Sequence, residues 1–450
     1  MSAYGPDVQG GGVYAPLREY MASVTENFPR VTHTRTIESS IASRRKLDIL
    51  PVNLGADNTI TDNYIEYRIP GVAGHLLDMS SLILDLEIGI LKEDGTQLTD
   101  DDHVIFTNGL SNTLFKSCSC YLNEQMVESN ALFNYHSFIK MLTSISPEKI
   151  DFLGRSAFLY RDDMGTSGIV DTFTAESFAK ANSVEKSIIK KCKNVISLTA
   201  PLFLDLTTLD AYLLDRTDVR IRLELANKSW LLNTHRDGTT YKIKIDSARM
   251  WVDRVIPHAA ALQSLNKSLI LKPMQYTYNR TLYKTYALGA NQTSLVIELP
   301  YAQIIPQTMY MVIVDMESFS GNYTRNGLYF NHSDLSQVHI SVNGSSVYNL
   351  HSQFPNKYSK IYYSCLEALG LETTHMLRYD AFSQGRSLFV FDFVDENVDN
   401  GIPVEKSGNL RINLAMAKAE NKNRVILLFA NTTGIIEIDS HRSVRCIVRA

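Results

Sequence analysis

The chain has 450 residues, of which 44% are hydrophobic and 20% charged, with a net charge of −4. This balance excludes wholesale disorder and offers no basic face of the kind that nucleic acid requires. With 23 Tyr, 18 Phe and many short alternating runs, the composition points to β structure in roughly two to three domains.

Residues 1–40 carry Gly10-Gly11-Gly12 without sustained periodicity, so an N-terminal arm is expected there. Strand patterns begin at Leu47. Tyr64, Tyr67 and Ile69 form a short run closed by Pro70-Gly71; Leu84, Leu86, Ile88 and Ile90 then alternate with Asp85 and Glu87. Asp94-Gly95 marks a turn. A compact unit follows between Val104 and Asn130: an alternating run from Cys118 to Asn123, a turn, and Met126-Val127. After it comes a helical stripe of Tyr135, Phe138, Ile139 and Leu142. Ser146 to Asn194 is polar and reads as a surface insertion outside the barrel core. It holds one predicted helix, Ala175 to Lys191, with Phe178, Ala181, Val184 and Ile188 on a stripe; Glu176 and Lys190-Lys191 suit its dipole. Strands resume at Val195 to Leu204, Val219 to Leu225 and Tyr241 to Val252. Pro257 to Ser268 reads as a joint.

The second half offers strands at Ser294 to Leu299, Met309 to Val314, Phe389 to Phe393, Arg424 to Phe429 and Ile435 to Ile438. Its centre repeats the earlier unit. Val338 to Asn343 alternates as Cys118 to Asn123 does, Val347 stands where the first copy has Val127, and Ile361, Tyr362, Cys365, Leu366 and Leu369 form a helical stripe. Leu410-Arg-Ile-Asn-Leu414 echoes Val219-Arg-Ile-Arg-Leu223 in the same order. Asn123 to Arg220 spans 97 residues and Asn343 to Arg411 spans 68, and the insertion accounts for the difference. The pattern is that of an internal duplication. The expected fold is all-β, two eight-stranded antiparallel jelly-roll sandwiches in tandem with short helices in the connecting loops. The expected division is an arm at 1–40, a first jelly roll at 41–257 with its insertion at 146–194, and a second at 258–450.

Chemistry-bearing motifs are sparse. The chain lacks the glycine-rich phosphate loop, the dinucleotide turn, the nucleophile elbow and the zinc helix. His332, His339 and Asp334 lie near one another in sequence and read as surface or hydrogen-bonded residues. Asp100-Asp101-Asp102, with Glu93 and Asp94, lacks calcium-loop spacing and reads as a solvated hairpin tip. Five cysteines, an odd number without zinc spacing, are expected as free thiols in a reducing compartment. With no signal-peptide core and no apolar run near 18 residues, a soluble product made in the cytosol is expected, its eight Asn-x-Ser/Thr sites unglycosylated. The expectation is a protein that is not an enzyme, with no catalytic, cofactor-binding or metal-binding residues and no cofactor.

The run Phe106-Thr-Asn-Gly-Leu-Ser-Asn-Thr-Leu-Phe115, followed by Cys120-Tyr-Leu-Asn123, resembles the first barrel of a double jelly-roll major capsid protein. Pro201-Leu-Phe-Leu-Asp-Leu206, Tyr212-Leu-Leu-Asp215 and Val219 to Leu223 extend the likeness. Phe319-Ser-Gly-Asn322 and Phe330-Asn-His332 carry it into the second half. It runs from about residue 45 to the end and is greatest to the Polinton (Maverick), adintovirus and virophage-like lineage, with a compact second copy. The plan is similar to that of adenovirus hexon. The resemblance implies a structural role in the icosahedral shell of a double-stranded DNA virus or virus-like mobile element, built from pseudo-hexameric homotrimers. It implies as partners the chain itself, neighbouring capsomers, penton proteins and minor or cement proteins, with no sequence-specific nucleic acid and no membrane span. The chain is then expected in the virion, made in the host cytoplasm and assembled there or in the nucleus. The alternative is a capsid-derived gene kept by a host for binding or scaffolding.

Overall fold

In a computed structural model, the described residues are 40–53, 63–146, 149–150, 154–160, 169–181, 183–209, 211–236, 240–370, 376–394 and 406–447. All of the expected arm except Ser40 lies outside them, as do parts of the insertion.

Sixteen strands build two sandwiches. The first has β1 (Ile41–Ile49), β2 (Tyr64–Ile69), β3 (Leu76–Lys92), β4 (Phe115–Leu122), β5 (Gln125–Asn130), β6 (Ile196–Pro201), β7 (Val219–Leu225) and β8 (Tyr241–Pro257). They pair as two four-stranded sheets, β1-β8-β3-β6 and β2-β7-β4-β5. The second has β9 (Met274–Leu288), β10 (Ser294–Glu298), β11 (Thr308–Asp315), β12 (Leu335–Val342), β13 (Ser345–His351), β14 (Phe389–Asp392), β15 (Leu410–Met416) and β16 (Arg424–Ile438). Its sheets are β9-β16-β11-β14 and β10-β15-β12-β13. Adding eight to every strand number turns the first pair of sheets into the second. The order is that of a jelly roll, and it occurs twice. A further strand, β17 (Val444–Ile447), pairs with the end of β16.

The duplication reaches single residues. The turn after β4 places Asn123 and Glu124 at positive φ (45° and 67°); the turn after β12 does the same with Asn343 and Gly344 (51° and 83°). Two successive left-handed residues make the tight hairpin that matches strand twist. In both copies the asparagine side chain accepts the backbone N–H just before the next strand of the sheet, from Asp218 at 2.7 Å and from Asn409 at 2.8 Å. A bulge follows at the same place, Val127 opposite the Cys120/Tyr121 step and Val347 opposite Ile340/Ser341. Arg220 faces Tyr121 and Arg411 faces Ser341, so the two echoing runs occupy one register position.

Each core follows from period-two patterning. Ile65, Tyr67 and Ile69 of β2, Ile221 of β7, Val338 and Ile340 of β12 and Ile412 of β15 are all fully buried. Helix α1 (Phe133–Ser144) buries Tyr135, Phe138, Ile139 and Leu142 as its stripe predicts.

Several expectations need correcting. The single helix predicted over Ala175 to Lys191 is two, α2 (Ala175–Ala179) and α3 (Ser183–Cys192). Thr174 caps α2 through a capping box with Ser177, and Phe178 turns into a ring cluster with His103 and His235. Ile188 and Cys192 instead join the main core, so one straight helix does not serve both. The insertion is not all surface. Ala157, Phe158 and Leu159 are buried, with Gly109 and Ser111 donating to the carbonyls of Phe158 and Ala157. The joint between halves is helix α4 (Ala259–Leu271), which follows from Leu262, Leu265 and Leu269 at helical spacing. Arg424 to Ile438 is one strand; its Asn-Thr-Thr-Gly centre reads as a turn, but Gly434 serves packing, since a Cβ there would lie 2.4 Å from the Tyr278 ring. The sequence reading missed β9 altogether, and β1 begins at Ile41 rather than Leu47 because Arg44, Arg45 and Lys46 hide its alternation.

All five cysteines are unpaired. Cys118, Cys120, Cys192 and Cys365 are buried, and Cys446 is exposed. Burial pushes the Cys192 and Cys365 thiols up to about 12.

Candidate functional site

A dense polar and aromatic arrangement lies where the barrels meet. The first barrel contributes β5, α1 and residues 205–209 and 211–215, and the second contributes β9 and β16. Tyr276 and Tyr278 point from β9 across the seam. The Tyr276 hydroxyl donates to the Tyr212 carbonyl and accepts the Leu214 N–H, each at 3.1 Å; the Tyr278 hydroxyl reaches the Val127 carbonyl at 3.3 Å. Alternation along β9 places both rings on one side, so one edge strand delivers both anchors.

Asp205 joins the halves most directly. Its carboxylate accepts the Thr281 N–H at 2.7 Å and the Thr281 hydroxyl at 2.8 Å, and Lys140 lies 3.4 Å away. Glu128 stands beside it, accepting the N–H groups of Asp205 and Leu206. Burial first, and the Asp205 carboxylate second, raise the Glu128 carboxyl to about 7. His136 sits between Asn130 and Thr281, stacks on Phe429 across the seam, and is held neutral by burial, with Lys140 adding to the effect. Cys118 and Cys120 face this cluster, and burial, then Glu128, pushes both thiols far up. An inert thiol pair results.

Aromatic contacts extend the seam. Tyr135 stacks on Phe319, Phe138 meets Phe330 edge-on, and the Arg386 guanidinium lies over Phe138. The Trp230 indole donates to the Tyr135 hydroxyl at 3.1 Å and fills the space over Gly327. At one end Arg442 pairs with Asp215 and donates to its carbonyl, while its own carbonyl accepts the Asn123 amide. Burial would raise the Asp215 carboxyl, but the Gly74 N–H and Arg442 hold it below its usual range. The end of the insertion is strapped down as well: Arg325 pairs with Asp171, and Phe173 donates to the Thr324 carbonyl. An open crevice of about 460 Å³ runs beside Glu128, Asp205, Tyr278 and Arg280.

Comparison of the sequence with protein-family models and with curated proteins finds no match. Solved structures do match over nearly the whole chain. A chain of the Sputnik virophage aligns with TM-score 0.58 and 11% identity, covering 100% of this chain and 95% of that one. The mavirus major capsid protein aligns at 0.53 and 9%, covering 99% and 97%, and the Faustovirus major capsid protein at 0.56 and 8%, covering 92% and 94%. This is the double jelly-roll capsid fold.

On the double jelly-roll frame, the motifs weighed from sequence find ordinary places. Asp102 is buried, not a solvated tip: burial would raise its carboxyl, but Thr99, Lys92 and Tyr241 donate to it and hold it well below the carboxylate range. Asp100 pairs with Lys193. His332 stacks on Phe354 and accepts the Asp334 N–H, whereas His339 bonds to Ser346 and Asn413. Among the described residues no three His, Cys, Asp or Glu side chains converge as a metal site. The sequence reading did not single out Glu128, His136, Asp205, Thr281 or Arg442. Asp205 stands within the Pro201 to Leu206 run, and Glu128 pairs with Cys120 across the β4–β5 hairpin. No described helix is long and apolar enough to cross a membrane.

Proposed function

We propose that the chain is a major capsid protein, a structural component of the icosahedral shell of a double-stranded DNA virus or virus-like mobile element. The observation that carries this reading is the pairwise full-length match: the chain covers 97% of the mavirus major capsid protein and is itself 99% covered. No barrel is left over on either side. A doubled jelly roll suits a shell because three copies present six similar barrels to a sixfold surround. The working form is a pseudo-hexameric homotrimer, its residence the virion, its further partners neighbouring capsomers, pentons and minor or cement proteins. The units are 41–257 and 258–450, with the arm before them and the insertion at 146–194. Function in such a protein is spread over interfaces, and no active-site residues are assigned. Light scattering on the purified chain should report about three times 50.7 kDa, and negative-stain images should show rings of hexagonal outline. A folded monomer at micromolar concentration would refute the capsomer.

A further inference from the structure

One cluster on the first barrel's side of the seam holds more acid than an ion pair needs. Lys140 stands one turn after His136 on α1, and its ammonium lies 3.4 Å from Oδ1 of Asp205, which opens the short turn Asp205–Thr208. That pair is complete by itself. A second carboxyl, Glu128 of β5, is nevertheless buried beside it, at 7% exposure against 4% for Asp205. It accepts the Asp205 N–H at 2.9 Å and the Leu206 N–H at 3.2 Å. Burying an extra carboxyl costs free energy, and an ion pair gains nothing from it. Burial and the Asp205 charge raise this carboxyl to about 7, while the Lys140 ammonium draws it the other way. Glu128 is therefore poised to take and give a proton near neutral pH.

The Asp205 carboxyl is held as an electrophile would be. The Thr281 N–H donates to its Oδ2 at 2.7 Å, and the Thr281 hydroxyl donates to Oδ1 at 2.8 Å. A fixed backbone N–H on one oxygen sits where negative charge develops when a nucleophile adds to the carboxyl carbon. Lysine is such a nucleophile once it has lost a proton. With Nζ 3.4 Å from Oδ1, a small turn of the flexible lysine brings it onto the carbon, at the near-attack separation of about 3–3.5 Å.

We propose that Lys140 and Asp205 condense to an isopeptide bond, with Glu128 carrying the protons. Glu128, as the carboxylate, takes one proton from the Lys140 ammonium. The freed nitrogen pair forms a bond to Cγ of Asp205, and the carbonyl electrons move onto Oδ2 beneath the Thr281 N–H. Glu128 passes its proton to Oδ1, then takes a second from the nitrogen and passes that on as well. The bond from Cγ to Oδ1 breaks, and Oδ1 leaves as water into the crevice that Glu128 and Asp205 line. An ammonium and a carboxylate become an amide and one water, and Glu128 ends as it began. The bond ties together residues 65 apart and closes a loop around the whole insertion at 146–194. Once it is closed Asp205 carries no charge, and burial, the larger cause, still holds the Glu128 carboxyl above its usual range.

The test is the mass of the purified full chain after denaturation, and it does not depend on the capsomer. The parent should weigh one water less than its sequence, and proteolysis should release a branched peptide joining the Lys140 and Asp205 side chains. Lys140→Arg keeps the ion pair but not the nucleophile and should have the full sequence mass. Glu128→Gln keeps the shape but not the proton carrier and should close the bond roughly a hundredfold more slowly or not at all. Circular dichroism confirms that each variant keeps its β spectrum; should one lose it, the parent's branched peptide decides alone. A parent at full sequence mass overturns the bond. A missing water that survives Lys140→Arg lies elsewhere in the chain and overturns the assignment. Closure of Glu128→Gln at the parent's rate overturns the part given to Glu128.

Discussion

Glu128 is buried to 7% exposure and accepts from the Asp205 and Leu206 backbone, with the Asp205 carboxylate beside it. With its carboxyl raised from about 4.5 to about 7, the folded protein holds a proton that the unfolded chain releases. Stability from this group is therefore full below about pH 4.5 and is lost as pH rises through about 7. The shift sets a ceiling of about 3 kcal/mol. Glu128→Gln, which keeps the shape and one acceptor, should flatten the change in urea midpoint between pH 5 and pH 8. An unchanged pH slope would show that another group carries it. Arg442 and Thr281 left no mark in the sequence because their roles depend on a partner barrel distant in sequence. Asn123 and Asn343 were readable, since a hairpin turn is set by its own residues.

At the scale of elements, the two hairpins differ in one informative place. Glu124 holds φ at 67° where the second copy has Gly344. A Cβ in the left-handed region costs roughly 1–2 kcal/mol, and the exposed Glu124–Arg220 pair at 3.3 Å returns only a fraction of that. Glu124→Gly should raise stability by up to about 1 kcal/mol in thermal or urea unfolding, after glycine's own entropy is charged against it. Strands with clean alternation, such as β7 and β15, were legible from their residues alone. Strand β9 was not, because Lys284 and Thr285 are exposed while Tyr276 and Thr281 are buried by the other barrel, so its pattern belongs to two surfaces at once. Pro257 to Ser268 reads as a joint, yet Leu262, Leu265 and Leu269 stand at the helical spacing that makes α4.

For the whole molecule, Gly327 tests whether the barrels stand or fall together. A Cβ there would lie 2.5 Å from the Trp230 indole nitrogen, a contact between the second barrel and the first. Gly327→Val should push the indole off Tyr135 and cost about 1–3 kcal/mol. It should also split one unfolding transition into two, read by calorimetry; a single unshifted transition would mean the seam adjusts freely. Helix α4 has a further consequence. It leads from Pro257, opposite Ile41, to Met274, opposite Ile438, so each barrel begins and ends near the helix. The Asn123 hairpin of the first barrel meets Arg442, just past the end of β16, and His258 donates to the Ser40 carbonyl. Both barrels therefore point the same way. Any layer tiled from this chain side by side has a sidedness: one surface gathers every crossing helix, with Ile270 and Leu271 bare at its tip, and the other surface has none of them.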